Sequence, residues 1–501
     1  MKRRIFLTAW IVFSVHFATN TVREHYPAFS LIEDGTFKVD RYLEFHPDIF
    51  LHRDGHAYVG NNVAASVITA VPLFIFKPVL DWIERYEKTR MRDQIPDYRR
   101  PDHPNSKAFF VVARKAGLTL RFGAAAVVTS VFLMAPLSAL IVVLMFRILR
   151  ERGVGEKLAC GLALLFAFGT PVFFRTGVLN HNMMLMCTTF VAFHLLWVRP
   201  GATGPVSVRH RALAGFLVGV GFALDYSGVI PAILLFGYLV ATRLRMATIG
   251  QAVREAVPFV LASIPAALFL PYSQWAMFGD PFMPGQYWMP DTSTTVFGTF
   301  TNPHSTEGFR GFTFPAPDLL WLNLFAPTYG MYVFGPLLIL GLVPVFFYDR
   351  SRLILPVPER RLVAVLIAAL FLFCAANQYS RIQENSGFRY LVPLVPFIFL
   401  QLSDHLARLP RRWLIALSIP VLACSWVISM VREPLVEAWG RVLSEGIQLP
   451  WLTVLTMVLP AGHPLASPIV PIVILLIVAV AVAAVWRIGR KGASPDLVSL
   501  A

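Results

Sequence analysis

Residues 464–486 read PLASPIVPIVILLIVAVAVAAVW, without one charged side chain, and the chain then turns basic at Arg487, Arg490 and Lys491. A helix needs about 20 mostly apolar residues to cross the hydrocarbon core of a bilayer. Charge-free runs recur upstream at 122–146, 158–174, 226–242, 256–279, 319–348, 362–380 and 413–431. Runs at this spacing exclude a single buried core helix, and no strand-length alternation suggests a barrel. The pattern predicts an all-α protein, a polytopic transmembrane helix bundle.

Composition agrees. Of 501 residues, 56% are hydrophobic and 15% are charged, whereas soluble domains carry about 25% charged residues. The net charge of +15 is gathered in short clusters between apolar runs: Lys2-Arg3-Arg4, Arg147/Arg150/Arg152, Arg209/Arg211, Arg360-Arg361, Arg411-Arg412 and Arg487/Arg490/Lys491. Positive charge so placed sets membrane orientation and argues against nucleic acid as a partner. The four cysteines lie in apolar stretches without zinc-ligand spacing and read as small hydrophobes.

Residues 1–501 read as one integral membrane domain. The basic start followed by Ile5–Ala18 predicts an uncleaved first helix, since no small-x-small cleavage site follows. Counting back from a cytoplasmic C-terminal tail, alternate turns fall on opposite faces, with about twelve crossings in all. The parity leaves apolar 63–80 without a crossing of its own. It reads as a juxtamembrane or re-entrant helix inside one long external segment, 19–120, and 280–318 forms a second external loop.

Chemistry concentrates in the external segments. Residues 19–62 hold seven of the 29 acids (Glu24, Glu33, Asp34, Asp40, Glu44, Asp48 and Asp54) with four histidines. Carboxylates there can act as a general base or bind a cation. Asp40 lies between Phe37 and Tyr42, and Asp48 follows Pro47 and precedes an apolar pair, which makes these two the candidate bases. His56–Asn62, reading HAYVGNN, stands at the start of the 63–80 helix, where Asn61 and Asn62 can cap it or help hold an anion. In QYSRIQENSGFRY (378–390), Arg389 lies where the chain re-enters the bilayer, and a guanidinium there can clamp phosphate. Arg175, Asp225 and the Asn180-His181-Asn182 cluster also border apolar runs.

These segments together resemble bacterial membrane glycosyltransferases of the GT-C class, the group that includes the protein O-mannosyltransferases and aminoarabinose transferases. The resemblance runs from about 19 to 400. It is carried by TNTVREHYPAFSLIEDGTFKVDRY (19–42), DGHAYVGNNVAASVITAVPLFIF (54–76), FGTPVFFRTGVLNHN (168–182), FGDPFMPGQY (278–287) and SGFRYLVPLVPFIFL (386–400). Asn61-Asn62-Val63-Ala64 departs from the Lys-x-Pro-Gly often found after the tyrosine, so the usual phosphate-binding lysine is missing.

The resemblance implies transfer of a sugar from a polyprenyl-phosphate carrier to an acceptor at the external face of a bacterial inner membrane. Asp40 and Asp48 are then the candidate catalytic residues, and Glu24, Tyr58, Asn61, Arg175, His181 and Arg389 the candidate substrate-binding ones. A donor carried in the lipid bilayer needs no nucleotide-binding fold. A divalent metal ion can assist such chemistry, but the sequence presents no metal-ligand set. The same cavity would serve a transporter or flippase of lipid-linked sugars, or persist in an inactive scaffold.

Overall fold

The computed structural model describes residues 1–93, 104–197, 204–245, 247–295, 298–301, 307–309, 311–342, 354–386, 388–458 and 462–488. Parts of the expected external loops (94–103, 302–306), the end of the 319–348 run, the Glu384 side chain and the basic pair Arg490 and Lys491 lie outside the described residues.

Helix makes up 74% of the structure. Among the described residues the strands form two short antiparallel hairpins, Ile49–Leu51 with Ala57–Val59 and Thr292–Thr295 with Gly298–Thr301. Among the described residues five helices are long and apolar enough to cross a membrane: Thr119–Glu151, Tyr226–Leu244, Ile249–Phe278, Arg411–Val431 and Ile469–Ile488. The chain is an all-α, membrane-embedded protein with several spans.

The bundle has two chemically different poles. At one, Lys2, Arg3, Arg147 and Arg150 border a common cavity, and Arg152 lies over the Trp197 ring at 4.3 Å. Here also Glu255 takes Arg211 and Arg243 at 3.4 and 2.6 Å, and the Tyr238 hydroxyl donates to Glu359 at 2.7 Å. The opposite pole is built from residues 16–93 and the turns at 172–182, 225–228, 278–295, 378–386, 388–390 and 432.

Backbone contact ties Val208–Leu224 to Ile249–Phe278. Gly215 and Gly219, one turn apart, face the Phe259 and Ser263 carbonyls so closely that no Cβ fits at either position. Lipid tails are as apolar as leucine, so association in a bilayer depends on close packing, which small residues four apart provide. Inside Thr119–Glu151, a π-helical turn at Ser130–Met134 interrupts the regular ladder, and the Val131 carbonyl accepts the Trp10 indole N–H at 2.7 Å. This bond fastens the first helix, Lys2–Val15, to its neighbour. Trp486 from Ile469–Ile488 adds a second tie, donating to Thr8 at 2.9 Å.

The apolar runs do not all form single helices. Run 158–174 ends its helix, Glu156–Phe168, at Gly169, and after Pro171 begins a separate turn, Val172–Thr176. Run 319–348 is divided into Pro317–Phe325, Met331–Phe334 and Pro336–Leu342. Pro327, Gly330 and Gly335-Pro336 interrupt it, because proline lacks the donor that helix propagation needs. The stretch expected as one helix over 63–80 is two limbs, Ala64–Ile75 and Lys77–Arg90, bent by 79°. The first limb has 12 residues and so rises about 18 Å, well short of a roughly 30 Å hydrocarbon core. Val71, Phe74, Ile75, Val79, Trp82 and Tyr86 are exposed along both limbs, an apolar surface suited to the membrane interface.

The first segment has a core of its own, in which Tyr26, Phe29, Tyr42, Phe45 and Phe122 pack around one another. A buried ion network clamps it. Arg121 pairs with Glu33, Glu84 and Asp81, while Arg41 and Lys88 reach Glu84 at 2.5 and 2.6 Å. Close by, Arg114 meets Glu87 at 2.9 Å with both side chains excluded from solvent.

Candidate functional site

The opposite pole brings widely separated charges into one chain of contacts. Arg23 and Glu24 immediately precede helix His25–Asp34, and Asp48 lies in the turn entering the first hairpin. Arg23 donates to Asp48 at 2.5 Å and approaches Glu24 at 3.5 Å. Glu24 in turn meets His181 Nδ1 at 2.7 Å, and His181 Nε2 lies 3.4 Å from Asp225. Charge thus runs from Asp48 through Arg23, Glu24 and His181 to Asp225, linking the first loop to two helices of the bundle.

Local structure fixes each member. The Asn180 side chain accepts from the backbone N–H groups of Asn182 and Met183 at 2.8 and 3.2 Å, which caps helix His181–Leu196 and orients His181 at its first position. Asp225 has extended backbone and caps the turn Tyr226–Gly228. One of its oxygens takes the Ser227 amide and hydroxyl at 2.8 and 2.6 Å, leaving the other to His181. The Asp48 backbone N–H donates to His46 Nδ1 at 3.1 Å, and the Asp48 carbonyl accepts from Gly60 at 2.8 Å, so this turn is held from both sides.

Three further guanidiniums lie nearby, Arg175 within reach of Glu24, Arg389 within reach of Asp48, and Arg432 beside Arg175. Arg175, 2% exposed, lies within electrostatic reach of Glu24, Arg389 and Arg432. Arg389 lies with its guanidinium carbon 4.8 Å from the Tyr390 ring centre, and donates to the Ile382 carbonyl and the Tyr390 hydroxyl, each at 3.3 Å. Among the described residues it has no carboxylate partner within ion-pair distance, and its Nε donates to nothing. Arg432 follows helix Arg411–Val431 in the left-handed region at φ 63°, the one such non-glycine among the described residues, and donates to the Phe174 carbonyl at 2.9 Å. A Cβ at Gly177 would lie 3.1 Å from the Arg432 guanidinium, so the absent side chain there makes room for it.

The electrostatics keep the loop carboxylates ionised. Burial pushes Asp48 upward, but the Arg23 charge, then His46, the Arg23 hydrogen bond and Arg389 together hold it below its ordinary value. Glu24 is likewise buried, yet the His181 hydrogen bond and the Arg23 charge hold it well below the usual range. Arg23 is stabilised as a cation against its own burial by Asp48 and Glu24. Burial lowers His46, against the pull of the Asp48 charge. Among the described residues this cluster gathers Arg23, Arg175, Arg389, Arg432 and His181 with the carboxylates of Asp48, Glu24 and Asp225.

Of the residues expected from sequence, Glu24, Asp48, Arg175, His181 and Arg389 come together here. Asp40 does not. Its side chain is 52% exposed and bonds His56 Nδ1 at 2.9 Å and the Ala57 N–H at 2.5 Å, so it joins the hairpin to the preceding turn and shares no partner with Asp48. Tyr58 donates to Asp54 at 2.9 Å and packs on Phe278. Asn61 accepts from Gln286 at 3.0 Å, which fastens the segment after Ile249–Phe278 to the first loop. Neither of these two reaches the arginine group. Sequence reasoning did not select Arg23, His46, Asp225 and Arg432 as site residues, although Asp225 stood at the edge of an apolar run.

The expected option of a divalent ion finds no ligand set: among the described residues no group of three or more His, Cys, Asp or Glu could hold a metal ion. Asp48 and Glu24 are instead committed to Arg23 and His181. Comparison with known families, curated proteins and solved structures gives no match.

Proposed function

We propose that the protein is a membrane glycosyltransferase that moves a sugar from a polyprenyl-phosphate carrier to an acceptor at the external face of a bacterial inner membrane. The observation that supports this reading is the partly buried, ionised Asp48 beside a group of arginines that, among the described residues, outnumber the carboxylates gathered with them. Asp48 removes the proton from an acceptor hydroxyl, the freed oxygen forms a bond to the anomeric carbon, and the bond from that carbon to the carrier phosphate breaks. The released phosphate carries its electron pair to Arg389, Arg175 and Arg432, whose charge is already in place before the reaction begins. Glu24, His181 and Asp225 hold Arg23, and through it Asp48, in position.

The topology that goes with this reading has about twelve passages, with the basic pole cytoplasmic. It is supported by the alternation of chain turns between the two poles, and by the short bent limbs at 64–90, which fit a pair of interfacial helices.

The test uses membranes supplied with a radiolabelled polyprenyl-phosphate sugar. Asp48→Asn should abolish transfer with the protein still folded, and Asp40→Asn should retain it. Full transfer by Asp48→Asn would remove Asp48 from the chemistry. If the wild type carries lipid-linked sugar across vesicles and never transfers it, the protein is a transporter.

A further inference from the structure

We propose a second anion site at the basic pole, one that takes the phosphate headgroup of an anionic phospholipid. A cavity of about 450 Å³ opens there between the foot of Lys2–Val15 and the end of Thr119–Glu151. Lys2, Arg3, Arg147 and Arg150 border it, against the two carboxylates Glu151 and Glu156. Glu151 lies 3.8 Å from Arg147, at the edge of ion-pair distance. Lys2 and Arg3 are exposed, and among the described residues they pair with no carboxylate. The cavity therefore carries excess positive charge that the protein leaves uncompensated.

Its depth and its walls select a lipid over a free ion. The Arg4 guanidinium carbon lies 5.8 Å from the Trp486 ring centre, and Trp486 in turn bonds Thr8. Tryptophan and arginine side by side mark the level of lipid headgroups. Phe146 supplies an apolar wall beside the four cations. A glycerophospholipid offers both halves of that chemistry, a phosphodiester for the cations and acyl carbon for Phe146, and basic pockets between helices at this depth are suited to anionic headgroups.

The test is native mass spectrometry of the full chain in non-ionic detergent, titrated with dioleoylphosphatidylglycerol or dioleoylphosphatidylcholine. The wild type should retain one phosphatidylglycerol in preference to phosphatidylcholine. The double variant Arg3→Gln/Arg147→Gln should bind it roughly thirtyfold more weakly, the loss expected for two basic side chains near a membrane surface. Arg147→Lys should keep most of the affinity, and an unchanged melting temperature in both variants shows that folding is intact. Equal binding by wild type and double variant would overturn the proposal. Displacement of the lipid by millimolar inorganic phosphate would also overturn it, by showing a site for free phosphate.

Discussion

Adding one methyl group at Gly215 should destabilise the protein more than the same change at any glycine facing open space. A Cβ there would lie 2.7 Å from the Phe259 carbonyl carbon and 2.8 Å from its Cα, with the carbonyl oxygen nearer still. Comfortable carbon contacts need about 3.5 Å, so Val208–Leu224 and Ile249–Phe278 must separate by roughly 0.7 Å or more. A gap of about 0.5–1 Å forfeits a quarter to a half of each dispersion contact it opens. The neighbouring contact, Gly219 against Ser263, opens with it. Overpacking of this kind costs about 1–3 kcal/mol, while the helix-propensity gain of Gly→Ala returns at most about 1 kcal/mol. The control is Gly237→Ala in Val229–Leu244, where a Cβ meets nothing within 4 Å and only the propensity gain acts. Thermal unfolding of the detergent-solubilised protein, followed by loss of helical circular dichroism, should give a lower midpoint for Gly215→Ala and an equal or higher one for Gly237→Ala. Equal midpoints for the two variants would refute the close-packing argument.

Other outcomes follow from the charged clusters. Arg121→Gln leaves Glu33 and Glu84 without their main partner and should cost about 3–5 kcal/mol, read as a lowered unfolding midpoint with early proteolysis of the first segment. Arg432→Gly relieves the roughly 1–2 kcal/mol that a left-handed conformation costs a side chain, which offsets the lost hydrogen bond to Phe174; stability should hold near wild type while transfer falls, and unchanged transfer would exclude Arg432 from phosphate binding. Burial drives His25 down to about 4, against the pull of Glu24. The unfolded chain therefore binds the extra proton first, so this stability is complete above pH 6.5 and is lost as pH falls to about 4. It amounts to on the order of 3 kcal/mol, and His25→Gln should flatten the fall in melting temperature across that window.

The membrane class was legible because hydropathy is local: a run such as 464–486 declares itself without knowledge of any other part of the chain. The interruptions were less legible. Pro327, Gly330 and Gly335-Pro336 were in plain view within 319–348, but an apolar average over the run conceals three breaks. Charge parity kept 63–80 from being read as a crossing, yet it could not place the 79° bend between its limbs. At the site, Arg175, His181 and Arg389 were recognisable as polar residues at the margins of apolar runs. Pairing was not recognisable, since Glu24 and His181 are 157 residues apart and only the folded bundle joins them. Arg432 carried no local signal, because nothing in its neighbours announces a left-handed arginine.

The contrast between Asp40 and Asp48 shows what composition cannot supply. Both are loop aspartates beside aromatic or apolar residues, and both are held below their ordinary values. Asp40 reaches that state cheaply, in water, by capping the Ala57 amide and bonding His56. Asp48 reaches it under cover, where an isolated carboxylate would be strongly disfavoured and where Arg23, His46 and Arg389 together make ionisation favourable. Desolvating so many charges is a poor way to stabilise a fold, because apolar side chains of similar volume usually do as well or better. The first segment already has an aromatic core and the Arg121 clamp to keep it folded. The second network, around Asp48 at the same pole and with Arg432 in a costly backbone conformation, is therefore not required by the fold, and the proposed function gives it a purpose in holding an anionic ligand.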